Sequence, residues 1–277
     1  MLRHYLIASV FGGTFLLAAP AFADVSSGFY VGAETTTGDY GFEADTAVER
    51  LPVGASLTAG RVTLFGEAAY LRADGFGDAI RQSTASGYSG RVSRLAQLRG
   101  RLADDVADAD ATVEEPMQQT VSGWGDTLIG ANLRLTPAQF GAHAGLTVSA
   151  TAPTGDEETG LGAGEWTYAA SLDGEKRWNA FFLRASGGGL IGESGGDARA
   201  FGSLAAGYDL TSRVTTALSL SWAEALDGYA DDPSEAALSA SYRLNNGIYL
   251  SSYVLTGLTD ASPDIGGGIS LSVSQTR

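Results

Sequence analysis

The chain has 277 residues, 32 acidic against 17 Lys and Arg side chains, a formal net charge of −15 at pH 7 and no cysteine. That charge excludes a nucleic-acid partner, whose phosphates need Lys and Arg, and the lack of cysteine excludes disulfides, thiolate metal sites and cysteine nucleophiles. With 38 glycines, 7 prolines and a mean hydropathy of +0.02, it fits neither a disordered tail nor a helical membrane protein. A fold with an apolar outer band and a polar lining averages near zero in this way.

At the N-terminus, Arg3 and His4 precede an apolar run from Tyr5 to Ala19, which closes on Ala21-Phe22-Ala23. This order predicts a cleavable signal peptide over residues 1–23 and a mature domain over 24–277. No later apolar run approaches about 18 residues, so no helical span is expected.

Strict alternation then sets in. Phe140, Ala142, Ala144, Leu146, Val148 and Ala150 fall on one face, with Gly141, His143, Gly145, Thr147, Ser149 and Thr151 on the other. Leu238, Ala240, Tyr242 and Leu244 oppose Ser239, Ser241 and Arg243, and Ile265, Gly267, Ile269, Leu271 and Val273 oppose glycines and serines. Such a period of two marks a half-buried strand. Strands are expected over 26–36, 47–59, 61–73, 121–135, 138–151, 164–175, 177–189, 198–210, 211–223, 234–244, 247–257 and 264–275.

Their connections alternate in length. Tight turns are expected at Gly60, Thr136-Pro137, Gly174 to Arg177, Asp209 to Arg213 and Asn245-Asn246-Gly247, with longer polar loops between them. Alternation of short turn and long loop points to an all-β, antiparallel transmembrane β-barrel of about twelve strands in the outer membrane, with short periplasmic turns and long extracellular loops. The Gly187 to Gly189 and Gly266 to Gly268 runs read as strand kinks.

One connection breaks the rhythm. Residues 74–120 exceed what loop-length priors give a passive link, and are read as a long loop or plug insert. Inside it Leu95, Leu98, Leu102 and Val106 recur at helical spacing, with arginines before and aspartates after, an order that opposes the helix dipole. The insert folds into the lumen, lies over the mouth against lipopolysaccharide, or stays a surface loop.

The inward face supplies the candidate site. Lumen-lining candidates are Glu34, Glu67, Asn132, Arg134, His143, Asp173, Arg184, Arg213 and Arg243, among many Gly, Ser and Thr. Eight strands fill with side chains and about sixteen leave a wide channel, so twelve would leave a narrow passage. His143 is the one histidine left after processing and reads as a hydrogen-bonded lumen residue rather than a catalytic base. The carboxylates of Asp156, Glu157 and Glu158 lack the spacing of a calcium loop and read as a solvated turn. No catalytic residue, metal site or cofactor is expected.

Two stretches carry a family likeness: Gly123-Trp124-Gly125-Asp126-Thr127, and Ser149 to Asp156 followed by Gly160-Leu161-Gly162-Ala163-Gly164. Over residues 120–277 the chain resembles the outer-membrane barrels grouped with the meta-cleavage pathway of phenol degradation, described as transporters. The resemblance implies a barrel that passes small hydrophobic or aromatic compounds, and it brings no catalytic residues. The reading is therefore an outer-membrane channel for small solutes. Its rivals are a non-transporting structural or adhesive barrel and a barrel hydrolase. Expected partners are outer-membrane lipid and lipopolysaccharide, a small-molecule solute and the barrel-assembly machinery. The last is expected although the chain ends Ser274-Gln275-Thr276-Arg277, without a terminal aromatic.

Overall fold

The computed structural model describes residues 25–40, 45–75, 119–136, 142–195, 198–225 and 232–276. The signal peptide over 1–23 and nearly all of the insert, with its helical spacing from Leu95 to Val106, lie outside the described residues.

Alternating apolar and small or polar residues extend into strands β1 (Val25–Gly38), β2 (Thr46–Ala59), β3 (Val62–Gly75), β4 (Gln119–Trp124), β5 (Thr127–Arg134), β6 (Ala142–Ala152) and β7 (Thr167–Trp178). They continue as β8 (Phe181–Gly192), β9 (Arg199–Asp209), β10 (Val214–Ala223), β11 (Ser234–Asn245), β12 (Ile248–Gly257) and β13 (Ile265–Thr276). Sequential strands pair antiparallel, except that β4 and β5 both pair with β3, and β1 pairs with β13 from Ser26↔Thr276 to Thr37↔Ile265, which closes the sheet into a barrel.

Residues 121–135, expected as one strand, form β4 and β5 on the same edge of β3. Tyr70 pairs with Trp124 and Glu67 with Leu128, so Ala68 and Ala69 face three residues, 125–127. This is a β-bulge, and it makes β4 and β5 one bent stave, giving twelve staves in all. The bulge also resets which residues face inward, from Val121 and Gly123 in β4 to Leu128, Gly130 and Asn132 in β5.

The turn expected over Gly174 to Arg177 lies further on. Strand β7 runs through to Trp178 and turns at Asn179-Ala180, where Asn179 takes the left-handed conformation at φ 53°. The polar run stays extended because Glu175 and Arg177 point inward to charged partners, while Lys176 is exposed on the outward face. Neither glycine run carries a bulge: β8 pairs in continuous register through Gly187 to Gly189, as does β13 through Gly266 to Gly268.

Along the middle of the strands the outward positions are mostly apolar and exposed, including Leu172 at 60% and Leu218 at 56% exposure. A water-soluble protein does not leave a continuous belt of this kind uncovered. On β7 the belt runs from Tyr168 to Trp178. Ten residue steps at about 3.3 Å and a tilt of about 40° span about 25 Å, the height of an outer-membrane apolar band between aromatic girdles. The short turns share one end with Val25 and Thr276, the end that faces the periplasm in bacterial barrels.

Inside, aromatic rings lie over glycines in register. Tyr30 pairs with Gly54, Phe65 with Gly130, Phe182 with Gly207, Phe201 with Gly188 and Tyr253 with Gly268. A Cβ on any of these five glycines would run into the paired ring. Glycine at those positions gives the ring a flat seat on the neighbouring strand. We expect Gly207→Val to lower stability by about 1–3 kcal/mol, the usual cost of overpacking. Gly187→Val, on the lipid face where a Cβ meets nothing nearer than 3.7 Å, should leave it unchanged. Urea titration of the folded, heat-modifiable gel band measures both.

Candidate permeation lumen

The inward charges gather on a few neighbouring strands. On β1 to β3, Arg50 Nη1 donates to Glu34 Oε2 at 3.2 Å and its Nη2 to Glu67 Oε1. All three side chains are buried, between 6% and 8% exposed. Loss of any member would strand a charge in a low-dielectric site, which costs about 3–5 kcal/mol for a broken buried pair.

Next around the wall, Asn132 on β5 donates to Thr147 Oγ1 at 2.8 Å and to Asp173 Oδ1 at 3.1 Å. His143 Nε2 lies 3.2 Å from the other oxygen of Asp173. The imidazole is thus engaged by a carboxylate, and its in-register neighbour on β7 is Glu175.

From Glu175 a chain of charges runs to β10. Arg184 donates to Glu175 Oε2 through Nε at 3.2 Å and Nη2 at 2.7 Å. Arg177 lies 3.6 Å from Glu175 and donates to Asp209 at 2.6 Å, with its guanidinium 4.6 Å above the Phe182 ring. Thr215 completes the chain, donating to Asp209 Oδ1 at 2.7 Å.

The facing wall is different. Inward positions of β10 to β13 carry Ser219, Ser239, Ser241, Ser251, Ser270 and Ser272, all half-buried. Ser241 and Ser251 share a hydrogen bond of 3.0 Å, and Ser219 and Ser239 turn onto backbone carbonyls of Ala237 and Ala217. The lumen therefore has a charged wall on which Arg50, Arg177 and Arg184 are each bonded to carboxylates, and a facing wall made mostly of small residues, with Glu235 buried on β11.

Three predicted residues sit at the short-turn rim. Arg134 closes β5, half-buried; Arg213 lies exposed in the turn between β9 and β10; and Arg243, near the end of β11, donates from Nη2 to the Ser212 carbonyl at 2.6 Å. Inward parity alone also marks Arg50, Glu175, Arg177 and Asp209, which the sequence reading left out. What it could not provide was their register.

Asp126 was missed for another reason: it sits in the bulge, where alternation fails. Its buried carboxylate accepts from Gly155 N at 2.8 Å and Ala163 N at 2.7 Å, and Thr154 Oγ1 donates to the Gly125 carbonyl at 3.2 Å. These bonds pin the loop between β6 and β7, and its Leu161 packs against Ala69, Leu71 and Val121 at the outer end of the lumen. The two sequence stretches that carry the family likeness are thus opposite halves of one contact.

No family model matches the sequence, and no curated protein does. Among solved structures, the chain is similar to an outer membrane channel from Pseudomonas putida, with a TM-score of 0.58 and 16% identity over 95% of this chain and 97% of that one. It is also similar to a KdgM porin, with a TM-score of 0.52 and 8% identity over 89% and 98%. The fold is that of an outer-membrane β-barrel.

Removing the Asp126 carboxylate should free the pinned loop. We expect Asp126→Ala to raise the rate of cleavage by a glutamate-specific protease after Glu157 and Glu158 by about tenfold or more, since each charge-assisted bond contributes about 1.5–3 kcal/mol. Asp126→Asn, which keeps one acceptor, should fall between.

Proposed function

We propose that this chain is an outer-membrane channel for small solutes, with small hydrophobic or aromatic compounds among them. The observation that carries the reading is the two-walled lumen. The inward guanidiniums of Arg50, Arg177 and Arg184 are spent on carboxylates along β1 to β3 and β7 to β9, and the opposite wall is built mostly from serine, alanine and glycine. Such a lining favours neutral solutes over free ions, because paired charges present a weaker field to the passage than the same charges would alone. Inward rings such as Tyr253 and Phe65, half-buried, add apolar surface against which an aromatic solute can slide. In this reading the insert over 74–120 narrows or covers the outer mouth, lipid covers the apolar belt, and lipopolysaccharide surrounds the outer rim.

The test is flux into liposomes carrying the purified protein, comparing phenol, a pentose and chloride, with and without residues 78–118. Phenol should enter ahead of the other two, and deletion of the insert should raise all three rates. Absence of flux from both forms would overturn the channel and leave a structural or adhesive barrel.

A further inference from the structure

The rim at the short-turn end carries an arrangement that the paired charges of the lumen do not explain. Arg134 N donates to the Arg61 carbonyl at 2.8 Å, and Arg243 N donates to the Arg213 carbonyl at 2.8 Å. Each bond sets two arginines side by side across neighbouring strands, where like charges repel. Around the barrel, the first pair lies at the junction of β3 with β5 and the second at the junction of β10 with β11. Six staves separate them in either direction, so they face each other across the mouth, about 24 Å apart at the backbone for a strand spacing of about 4.8 Å and a tilt of about 40°.

Elsewhere in this half of the barrel, inward cations have carboxylates. Arg184 has Glu175, and Arg177 has Glu175 and Asp209. The four rim arginines have none among the described residues; the bond from Arg243 to the Ser212 carbonyl fixes its guanidinium beside Arg213 without neutralising it. The loop end of the same barrel is acidic, with Asp39, Asp156, Glu193 and Asp260 in its described loops. The net charge of −15 thus coexists with a cationic rim at the opposite end.

We infer that the periplasmic mouth holds two oxyanion sites, one at Arg61 and Arg134 and the other at Arg213 and Arg243. Paired guanidiniums present parallel N–H donors that match a carboxylate or a phosphate, and an anion between them removes the repulsion that the chain leaves uncompensated. The oxyanion comes either from a carboxylate-bearing solute at the mouth or from a phospholipid headgroup of the inner leaflet. Only the solute source rests on the channel reading; binding itself does not require flux.

The experiment uses the full mature barrel in neutral detergent micelles. Citrate and inorganic phosphate are titrated while the arginine side-chain N–H resonances are followed, in the wild type, in R61Q/R134Q, in R213Q/R243Q and in the fourfold variant. Heat-modifiable migration confirms that each is folded. Saturable shifts in the wild type, weakened at least tenfold at one pair by each double variant and lost in the fourfold one, are expected. Phosphatidylglycerol added to the micelles then displaces citrate if the headgroup is the natural source, and fails to displace it if the solute is. Linear shifts without saturation, or equal binding by the wild type and the fourfold variant, would overturn the sites. Because the readout is binding, a barrel that passes no solute can still pass this test.

Discussion

Everything in this molecule follows from one constraint: a sheet that crosses lipid cannot leave a strand edge unpaired, because no water is present to satisfy its N–H and C=O groups. The pairing of β1 with β13 removes the edge. Once the sheet is closed, every strand has an outside that must be apolar and an inside that must be filled or hydrated, and the period of two divides the residues between them. The long apolar side chains go out, to Leu172, Leu204, Leu218 and Leu238. Inside, space is managed by pairs of residues rather than by a layer of large ones.

Two kinds of inward pair do this. Where a ring points in, its in-register partner is a glycine, as with Phe182 over Gly207. Where a charge points in, the partner on the next strand is often its opposite, as with Glu34 and Arg50, or Glu175 and Arg184. Both depend on register, and register is set locally by the short turns. Gly60 at φ 61° sets the register of β2 against β3, and Asn179 at φ 53° that of β7 against β8. Arg184 meets Glu175 because the chain reverses at Asn179.

This explains which parts could be read from the sequence. The barrel, its strand directions and the inward parity of Glu34, Glu67, Asn132, Asp173 and Arg184 come from alternation and from turn spacing, which need no register. The partners of those residues could not be read, since Arg50 becomes the partner of both Glu34 and Glu67 only once three strands are aligned. The bulge at residues 125–127 was hidden because Gly123 to Thr127 alternates well enough to pass as unbroken strand. Glu175 to Arg177 looked like a turn because a hydrophilic run reads as solvent-exposed, and the sequence does not reveal that a lumen supplies the same environment within a strand.

The barrel's width decides how its charges are arranged. A backbone diameter of about 24 Å for twelve strands is more than two long side chains can bridge comfortably, so ion pairs form between near neighbours along the wall and not across the middle. Arg50 pairs with carboxylates on the adjacent β1 and β3, and Arg177 with carboxylates on β7 and β9. Charges drawn sideways in this way lie against the wall, and their mutual neutralisation avoids the transverse field that opposed charged walls would create. Opposite them, Ser219, Ser239, Ser241 and Ser251 already hydrogen-bond to one another or to backbone carbonyls. In the proposed channel a solute would compete with few of them, and its own size, shape and surface would govern its passage more than its ability to break an ion pair.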